Sequence, residues 1–172
     1  MKKKKPARKI LPKRTIAWPV LLITSLFICF GIAGLGSAVT MPGVAGWYKD
    51  LPKPSFSPPN AVFGPVWTVL YFLMAISAFL VSLKGVGKPL VKRALAVFGI
   101  QLGLNFMWSL TFFGFHNPGN AFAVIIVLWL TIIWTMVRFW FINKTASLLL
   151  IPYLLWVSFA SYLNFSIYLL WR

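Results

Sequence analysis

Acidic residues are almost absent from this chain. Its 172 residues include one acid, Asp50, with one histidine and one cysteine, against 17 lysines and arginines. A single acid leaves no carboxylate pair for general acid–base work, and one His, one Cys and one Asp cannot close a zinc site. No serine has a base partner for nucleophilic attack, and Cys29 alone cannot form an intrachain disulfide. The composition therefore argues against a hydrolase or a metalloenzyme, and we expect no metal site.

Charge is scarce as well as one-sided. Only 10% of the residues are charged, whereas a soluble domain has about a quarter, and 60% are hydrophobic and 17% aromatic. This composition indicates an integral membrane protein. The net charge of +16 does not indicate nucleic-acid binding, because the basic residues flank apolar runs as they do in membrane proteins. Ion pumping is also disfavoured, since no Asp, Glu, His, Lys or Arg lies in the middle of an apolar run.

Five apolar runs are each long enough for a spanning helix, which needs about 20 residues. The sequence therefore predicts an all-α membrane protein, a five-transmembrane-helix bundle. Residues 16–172 form this domain, and residues 1–15 are a basic tail that we expect to be disordered. The first run is longer than the apolar core of a signal peptide, so we interpret it as a retained helix. The predicted spans are Trp18–Val39, Val62–Leu83, Ala94–Phe113, Ala121–Trp140 and Ala146–Leu170. Asn117 before Pro118 predicts an N-cap followed by a first-turn proline ahead of the fourth span.

Basic residues predict the orientation of the spans. Eight lie before residue 15, four lie between the second and third spans, Arg138 lies near the end of the fourth span and Lys144 follows it, which places 14 of the 17 on one side. The other side has Lys49, Lys53 and Arg172. The positive-inside rule then places the N-terminus inside and the loop after the first span outside. We expect a bacterial cell membrane, with an organelle envelope as the alternative.

The loop after the first span is unusually stiff. The stretch from Trp47 to Trp67 contains five prolines and five large aromatic residues. Proline fixes φ and removes an amide donor, so residues between Leu51 and Pro59 cannot be helical. A stiff loop between two spans fits a lid over a cavity, which we place at residues 41–60. The predicted lid residues are Trp47, Tyr48, Lys53, Pro54, Pro58 and Pro59.

Polar and aromatic residues recur at helical spacing in three spans. The stripes are Phe63, Trp67, Tyr71 and Met74 in the second span, Gln101, Asn105, Trp108 and Phe112 in the third, and Tyr153, Trp156, Ala160, Leu163 and Ile167 in the fifth. Amides in hydrocarbon need partners, so the third-span stripe points inward. One interpretation is interhelical contact together with aromatic belts at the membrane surfaces. The other is a flat slot near Ala160 for flat, apolar, conjugated ligands.

Two shorter sequence patterns each allow more than one interpretation. Gly99 and Gly103 form a GxxxG motif, which allows close helix packing either within the chain or in a homodimer. The spacing of Leu163, Tyr168 and Arg172 fits a proposed cholesterol-contact pattern. That pattern is loose, and chance occurrence in an apolar helix is the simpler explanation.

Four segments together resemble the tryptophan-rich sensory protein and translocator protein family (TspO/MBR, which includes the peripheral benzodiazepine receptor). They are WYKDLPKPSFSPP at 47–59, FGPVWTVLY at 63–71, NFMWSLTFFG at 105–114 and PYLLWVSFASYLN at 152–164. The resemblance covers the chain beyond the basic tail. Two departures are Phe56, where the family more often has tryptophan, and a basic tail longer than is typical, which we expect to contact membrane lipid or to act in targeting.

The resemblance implies a homodimer of five-helix bundles that binds porphyrins, such as protoporphyrin IX or haem, under the lid. It implies no required cofactor, and it supports Gly99 and Gly103 as dimer residues. Sterols and synthetic aromatic drugs are ligands of animal members. The ligand-binding residues expected from the resemblance and the stripes are Trp47, Phe63, Trp67, Tyr71, Asn105, Trp108, Trp156, Ala160 and Leu163.

Three functions remain open from the sequence. The first is a tetrapyrrole-binding membrane protein that acts as a sensor, scavenger or carrier. The second is a light-dependent porphyrin-degrading enzyme, for which Trp67 and Trp156 are the catalytic candidates that the resemblance implies. The third is a sterol or lipid transporter, which only the C-terminal pattern supports.

Overall fold

The computed structural model describes residues 16–171, and every regular element within that range is helical. Five segments are long and apolar enough to cross a membrane, so the predicted all-α multi-pass membrane fold is confirmed. The predicted basic tail, residues 1–15, and Arg172 lie outside the described residues. The helices are α1 (Trp18–Ala45), α2 (Trp47–Asp50), α3 (Asn60–Ser82), α4 (Pro89–Ser109), α5 (Pro118–Trp140), α6 (Lys144–Leu148) and α7 (Ile151–Trp171).

Spans two to five begin earlier than the predicted bounds, because the residues that start each helix precede its apolar run. Pro118 is the first residue of α5, and the Asn117 side chain accepts a hydrogen bond from the Asn120 amide at 2.9 Å. This confirms the predicted cap and first-turn proline. Asn143 caps α6 in the same way, accepting from the Ala146 amide at 3.1 Å. The fifth span is divided into α6 and α7, since Pro152 near the start of α7 lacks the N–H that would continue the hydrogen-bond ladder.

The first span is longer than predicted. It was expected to end at Val39, but α1 continues through Pro42 to Ala45. Proline removes only its own N–H, and the helix resumes beyond it, with the Gly46 amide donating to the Pro42 carbonyl at 3.1 Å. The predicted lid at 41–60 is therefore too long: its first five residues belong to α1 and Asn60 belongs to α3.

Between α1 and α3 the chain forms the short helix α2 and then an irregular segment. Residues 51–59 contain no helix, as the prolines predicted. One turn is closed by the Ser57 amide, which donates to the Pro54 carbonyl at 3.0 Å. We define the lid as residues 46–59.

The third span ends in a π-helical turn. After α4 the chain continues as Leu110–Gly114 with wider hydrogen bonding, for example from the Phe115 amide to the Leu110 carbonyl at 2.9 Å. A π turn holds an extra residue, so it rotates the side chains that follow it. The face predicted from regular helical spacing therefore applies only as far as Trp108.

The five spans form a ring. Going round it, α1 contacts α3, α3 contacts α7, α7 contacts α5, α5 contacts α4, and α4 returns to α1. Met74 of α3, Ile132 of α5 and Tyr153 of α7 are fully buried. Among the five spans, α1 has the smallest share of buried residues. Its buried residues are Ser25, Cys29, Gly36 and Gly43. Cys29 is a buried core residue.

Candidate functional site

A cavity of about 880 Å³ lies under the lid, between α1, α3 and α4. Its α1 wall consists largely of small residues, including Ala33, Gly34, Gly36 and Ser37. Small side chains on one span leave space that the bulky residues of the facing spans do not fill. The sequence explains the cavity through this wall, yet no α1 residue was among the predicted site residues. The available signal was small or polar residues at helical spacing along α1.

The cavity opens to one side, between α1 and α3. Gly34, Ser37 and Met41 on α1 and Gly64 and Thr68 on α3 line it and are exposed. A Cβ built on Gly34 or Gly64 has no neighbour within 4 Å. The cavity is therefore covered at the lid end and open towards the hydrocarbon side of the bundle.

An aromatic wall faces α1. Phe63, Trp67 and Tyr71 of α3 and Trp108 of α4 line the cavity, and all four are among the residues predicted to bind a ligand. Phe113 also lines it, whereas the predicted stripe placed Phe112 there. The cause is the π turn, which moves the inward-facing position by one residue.

Asn105 connects three spans at the base of this wall. Its side-chain oxygen accepts from the Tyr71 hydroxyl at 2.7 Å, and its Nδ2 donates to the Tyr153 hydroxyl at 2.9 Å. Asn105 also lines the cavity. Both proposed roles of this amide, interhelical contact and pocket wall, therefore fall on the same residue.

The neighbouring amides are structural. Gln101 is buried outside the cavity, and its Nε2 donates to the Met74 sulfur at 3.7 Å. Asn164, which the sequence reasoning did not single out, accepts from the Trp108 indole at 3.0 Å and donates to the Pro118 carbonyl at 2.8 Å. An asparagine inside an apolar span was the signal for Asn164. This pair of bonds fixes the position of the Trp108 ring.

The lid is held at both ends by aromatic contacts. The Trp47 ring stacks on His116 at 4.6 Å, beyond the end of α4, and meets Trp171 edge-on at 6.3 Å. Phe56 stacks on Tyr162 of α7 at 5.0 Å. The lid therefore crosses the end of the bundle as a fixed cover, with Pro54, Pro58 and Pro59 in the irregular part of it.

Tyr48 is the lid residue that faces inward. It is buried, lines the cavity and packs edge-on against Phe113 at 5.6 Å. Burial raises the pKa of its phenol, so the side chain stays neutral at physiological pH. The Lys53 ammonium lies 4.6 Å from the centre of the Tyr48 ring and donates to the Lys49 carbonyl at 3.3 Å.

Four predicted binding residues do not line this cavity. Trp47 is partly buried against Phe112 and His116 outside the cavity lining, and Ala160 and Leu163 are buried in α7. Trp156 lines a separate apolar groove of about 590 Å³ between α3 and α7, which also includes Pro65 and Pro152. The predicted slot near Ala160 is therefore not part of the cavity. The reason is that α3 rings lie between the two: Phe63 contacts Trp156 at 5.9 Å, and Trp67 contacts Tyr153 at 6.3 Å.

The two glycines proposed for dimer contact lie on the outer face of α4. Gly99 and Gly103 are exposed, and a Cβ built on either has no neighbour within 4 Å. Close packing within the chain is therefore not their role. The structure describes a single chain, and the homodimer stays a prediction.

No group of three His, Cys, Asp or Glu side chains within residues 16–171 is placed to hold a metal ion. The chemistry available in the cavity is instead that of binding: aromatic faces, a small number of neutral polar groups and one lysine at the lid end.

Comparisons of this chain with a family profile and with individual proteins agree on one family. The profile of the TspO/MBR family matches residues 23–170. The chain is 46% identical over 149 residues to the tryptophan-rich protein TspO of Archaeoglobus fulgidus, covering 87% of this chain and 95% of the relative. It is 39% identical over 146 residues to the tryptophan-rich sensory protein of Cereibacter sphaeroides, covering 83% and 89%. It is 36% identical over 129 residues to the translocator protein of Homo sapiens, covering 73% of each chain.

Proposed function

This chain belongs to the TspO/MBR family of integral membrane proteins, and from that premise we propose that it binds a tetrapyrrole such as protoporphyrin IX in the cavity beneath the lid. The observation that carries the proposal is the aromatic wall of Phe63, Trp67, Tyr71 and Trp108 in a cavity of about 880 Å³. Pockets for small molecules have volumes of roughly 300–1,000 Å³ and are mainly apolar, with a few placed polar groups. Aromatic faces favour flat conjugated ligands, because offset ring stacking adds to apolar burial.

We favour a role in sensing or transport, for which the protein binds its ligand without converting it, over a catalytic role. Relatives carry the names sensory protein and translocator protein, which describe sensing and carriage. Photochemical degradation with both Trp67 and Trp156 as partners of one ligand is not favoured, since Trp156 lines a different groove. Sterol transport has no specific support among the residues of the cavity wall.

The test is titration of the purified protein with protoporphyrin IX, followed by the porphyrin absorbance band. Trp67→Ala should weaken binding by about ten-fold, which corresponds to the loss of one good ring contact. Trp134→Ala is the matched control, because that indole lies exposed on α5 and outside the cavity. Trp156→Ala should behave like the control. Unchanged affinity in Trp67→Ala would exclude this cavity as the site.

A further inference from the structure

We propose that Lys49 receives a carboxylate of the bound ligand at the lid end of the cavity, so that the site prefers acids to neutral molecules of the same shape. This inference rests on the proposed function, because it assigns the chemical class of ligand and its orientation within the same cavity.

Lys49 is the charged member of a neutral wall. In the described part of the chain, the cavity is lined by apolar, aromatic and neutral polar side chains, with Lys49 of α2 as the ionisable cation and no carboxylate among them. Lys49 is exposed, so water screens part of its charge. The effective dielectric constant near a protein surface is still lower than that of bulk water, which strengthens the attraction of this cation for a negative group. The charge balance of the cavity therefore complements an anionic ligand.

The Lys49 ammonium is also unengaged within residues 16–171. No hydrogen bond or ion pair in that range involves it, and Asp50, the neighbouring acid, does not pair with it. Lys53 differs, since its ammonium is engaged by the Lys49 carbonyl at 3.3 Å and lies over the Tyr48 ring. The two lysines of the lid therefore differ in their contacts. The Lys53 ammonium binds within the lid, whereas the Lys49 ammonium is available to bind a ligand.

Neutral donors lie at the same end of the cavity. The Asn60 side chain at the start of α3 lines the cavity and is exposed there, and the phenol of Tyr48 lines it from α2. A carboxylate accepts several hydrogen bonds, and bonds to a charged group are stronger than those between neutral groups. The lid end of the cavity therefore offers a cation and neutral donors to an acid group, whereas Tyr71 and Asn105 farther from the lid already donate to other side chains.

These positions give the ligand an orientation. Its acidic edge faces Lys49 under the lid, and its apolar edge lies against Trp67, Tyr71 and Trp108. A flat ring system with carboxylates on one edge fits this pattern, whereas a neutral sterol leaves Lys49 without a partner.

The experiment compares protoporphyrin IX with its dimethyl ester, using the full-length protein in detergent micelles without ionic lipid. The ester has the same ring but no charge. We expect the wild-type protein to bind the acid about three- to ten-fold more tightly than the ester, which is the range of a partly exposed charge-assisted contact. Lys49→Met should remove this preference by weakening binding of the acid alone, and Lys49→Arg should keep it.

A matched control isolates the position. Lys84→Met removes the same charge from an exposed position at the opposite end of the bundle, and it should keep the preference for the acid. Equal wild-type affinity for acid and ester would overturn the inference, as would an unchanged preference in Lys49→Met. If neither compound binds, the proposed function itself fails. Binding of both compounds without preference leaves the proposed function standing and rejects only the role of Lys49.

Discussion

Asn105 shows how a single side chain can both hold a membrane protein together and face its cavity. Its amide uses the oxygen for Tyr71 of α3 and the nitrogen for Tyr153 of α7, while its own backbone belongs to α4. Tyr153 is completely buried, so its hydroxyl has no water to replace a lost partner. Gln101, one turn earlier on α4, is equally buried but has only a sulfur contact, and its Oε1 is unpartnered. We therefore infer that the Asn105 amide contributes more to the stability of the fold than the Gln101 amide does.

Replacing these amides should separate the two cases. Asn105→Leu should lower the free energy of unfolding by about 1–3 kcal/mol, because it leaves two buried hydroxyls without their partner. Gln101→Met should change it by less than about 1 kcal/mol, since it removes an amide that is already half unsatisfied. Denaturation of the ligand-free protein in mild detergent measures both. Equal losses in the two variants would contradict the assigned role of Asn105.

For individual residues, the sequence predicts which polar side chains face inward, but it does not predict which side chains they bond. An amide within an apolar run indicates an inward-facing position, and Asn105 and Gln101 could both be identified in this way. Which tyrosine would meet Asn105 depends on the order of the spans around the ring, and that order is not encoded in the local spacing. Asn164 carried the same signal, but only the structure reveals that it fixes Trp108.

At the scale of elements, the junction between α1 and the π turn decides where the cavity ends. Gly43, in the last turn of α1, lies directly against Phe113 of the π turn, which lines the cavity. A Cβ added at Gly43 would lie 2.9 Å from the Phe113 Cβ and 3.0 Å from its carbonyl oxygen. Backbone cannot move aside as a flexible side chain can, so only glycine fits at this position.

The same substitution, glycine to alanine, should therefore change the stability of the protein differently at two positions in α1. Gly43→Ala should destabilise the protein by about 1–3 kcal/mol through overpacking. Gly31→Ala should be neutral or stabilising by up to about 1 kcal/mol, because nothing lies within 4 Å and alanine is the better helix former. Thermal unfolding in the same detergent provides the comparison. Similar shifts for both variants would show that the contact with Phe113 has no structural importance.

Element boundaries were predictable where one residue type controls them. Asn117 and Pro118 predicted the start of α5 correctly, and the prolines of the lid predicted its irregular part. Two features were not predictable from spacing. Pro42 stays inside α1 because the residues after it pack against the π turn, and the π turn moves Phe113 into the place expected for Phe112. Both result from tertiary contacts that override local preference.

At the scale of the whole molecule, the ring of spans has two chemically different ends. The lid end has Lys49 and Lys53 among its described basic residues. The opposite end has six, at the turn before α4, in its first turn and around the end of α5: Lys84, Lys88, Lys92, Arg93, Arg138 and Lys144. Lys92 and Arg93 were expected in a loop but lie within α4, at the same end of the bundle. The charge difference predicted from the sequence is thus retained when the helices are assembled.

This difference predicts that the lid faces the outside of the cell, which single-cysteine labelling can measure. Ser55→Cys in the lid and Gly87→Cys in the turn after α3 are both at exposed positions, and the buried Cys29 is replaced by alanine in each variant. In bacterial spheroplasts, a membrane-impermeant maleimide should label Ser55→Cys directly and Gly87→Cys only after lysis, because basic loops stay in the cytoplasm. The reverse pattern would contradict the orientation. With the lid outside, Lys49 would present its charge to ligands on that face of the membrane, while the side opening between α1 and α3 would admit apolar ligands from the bilayer.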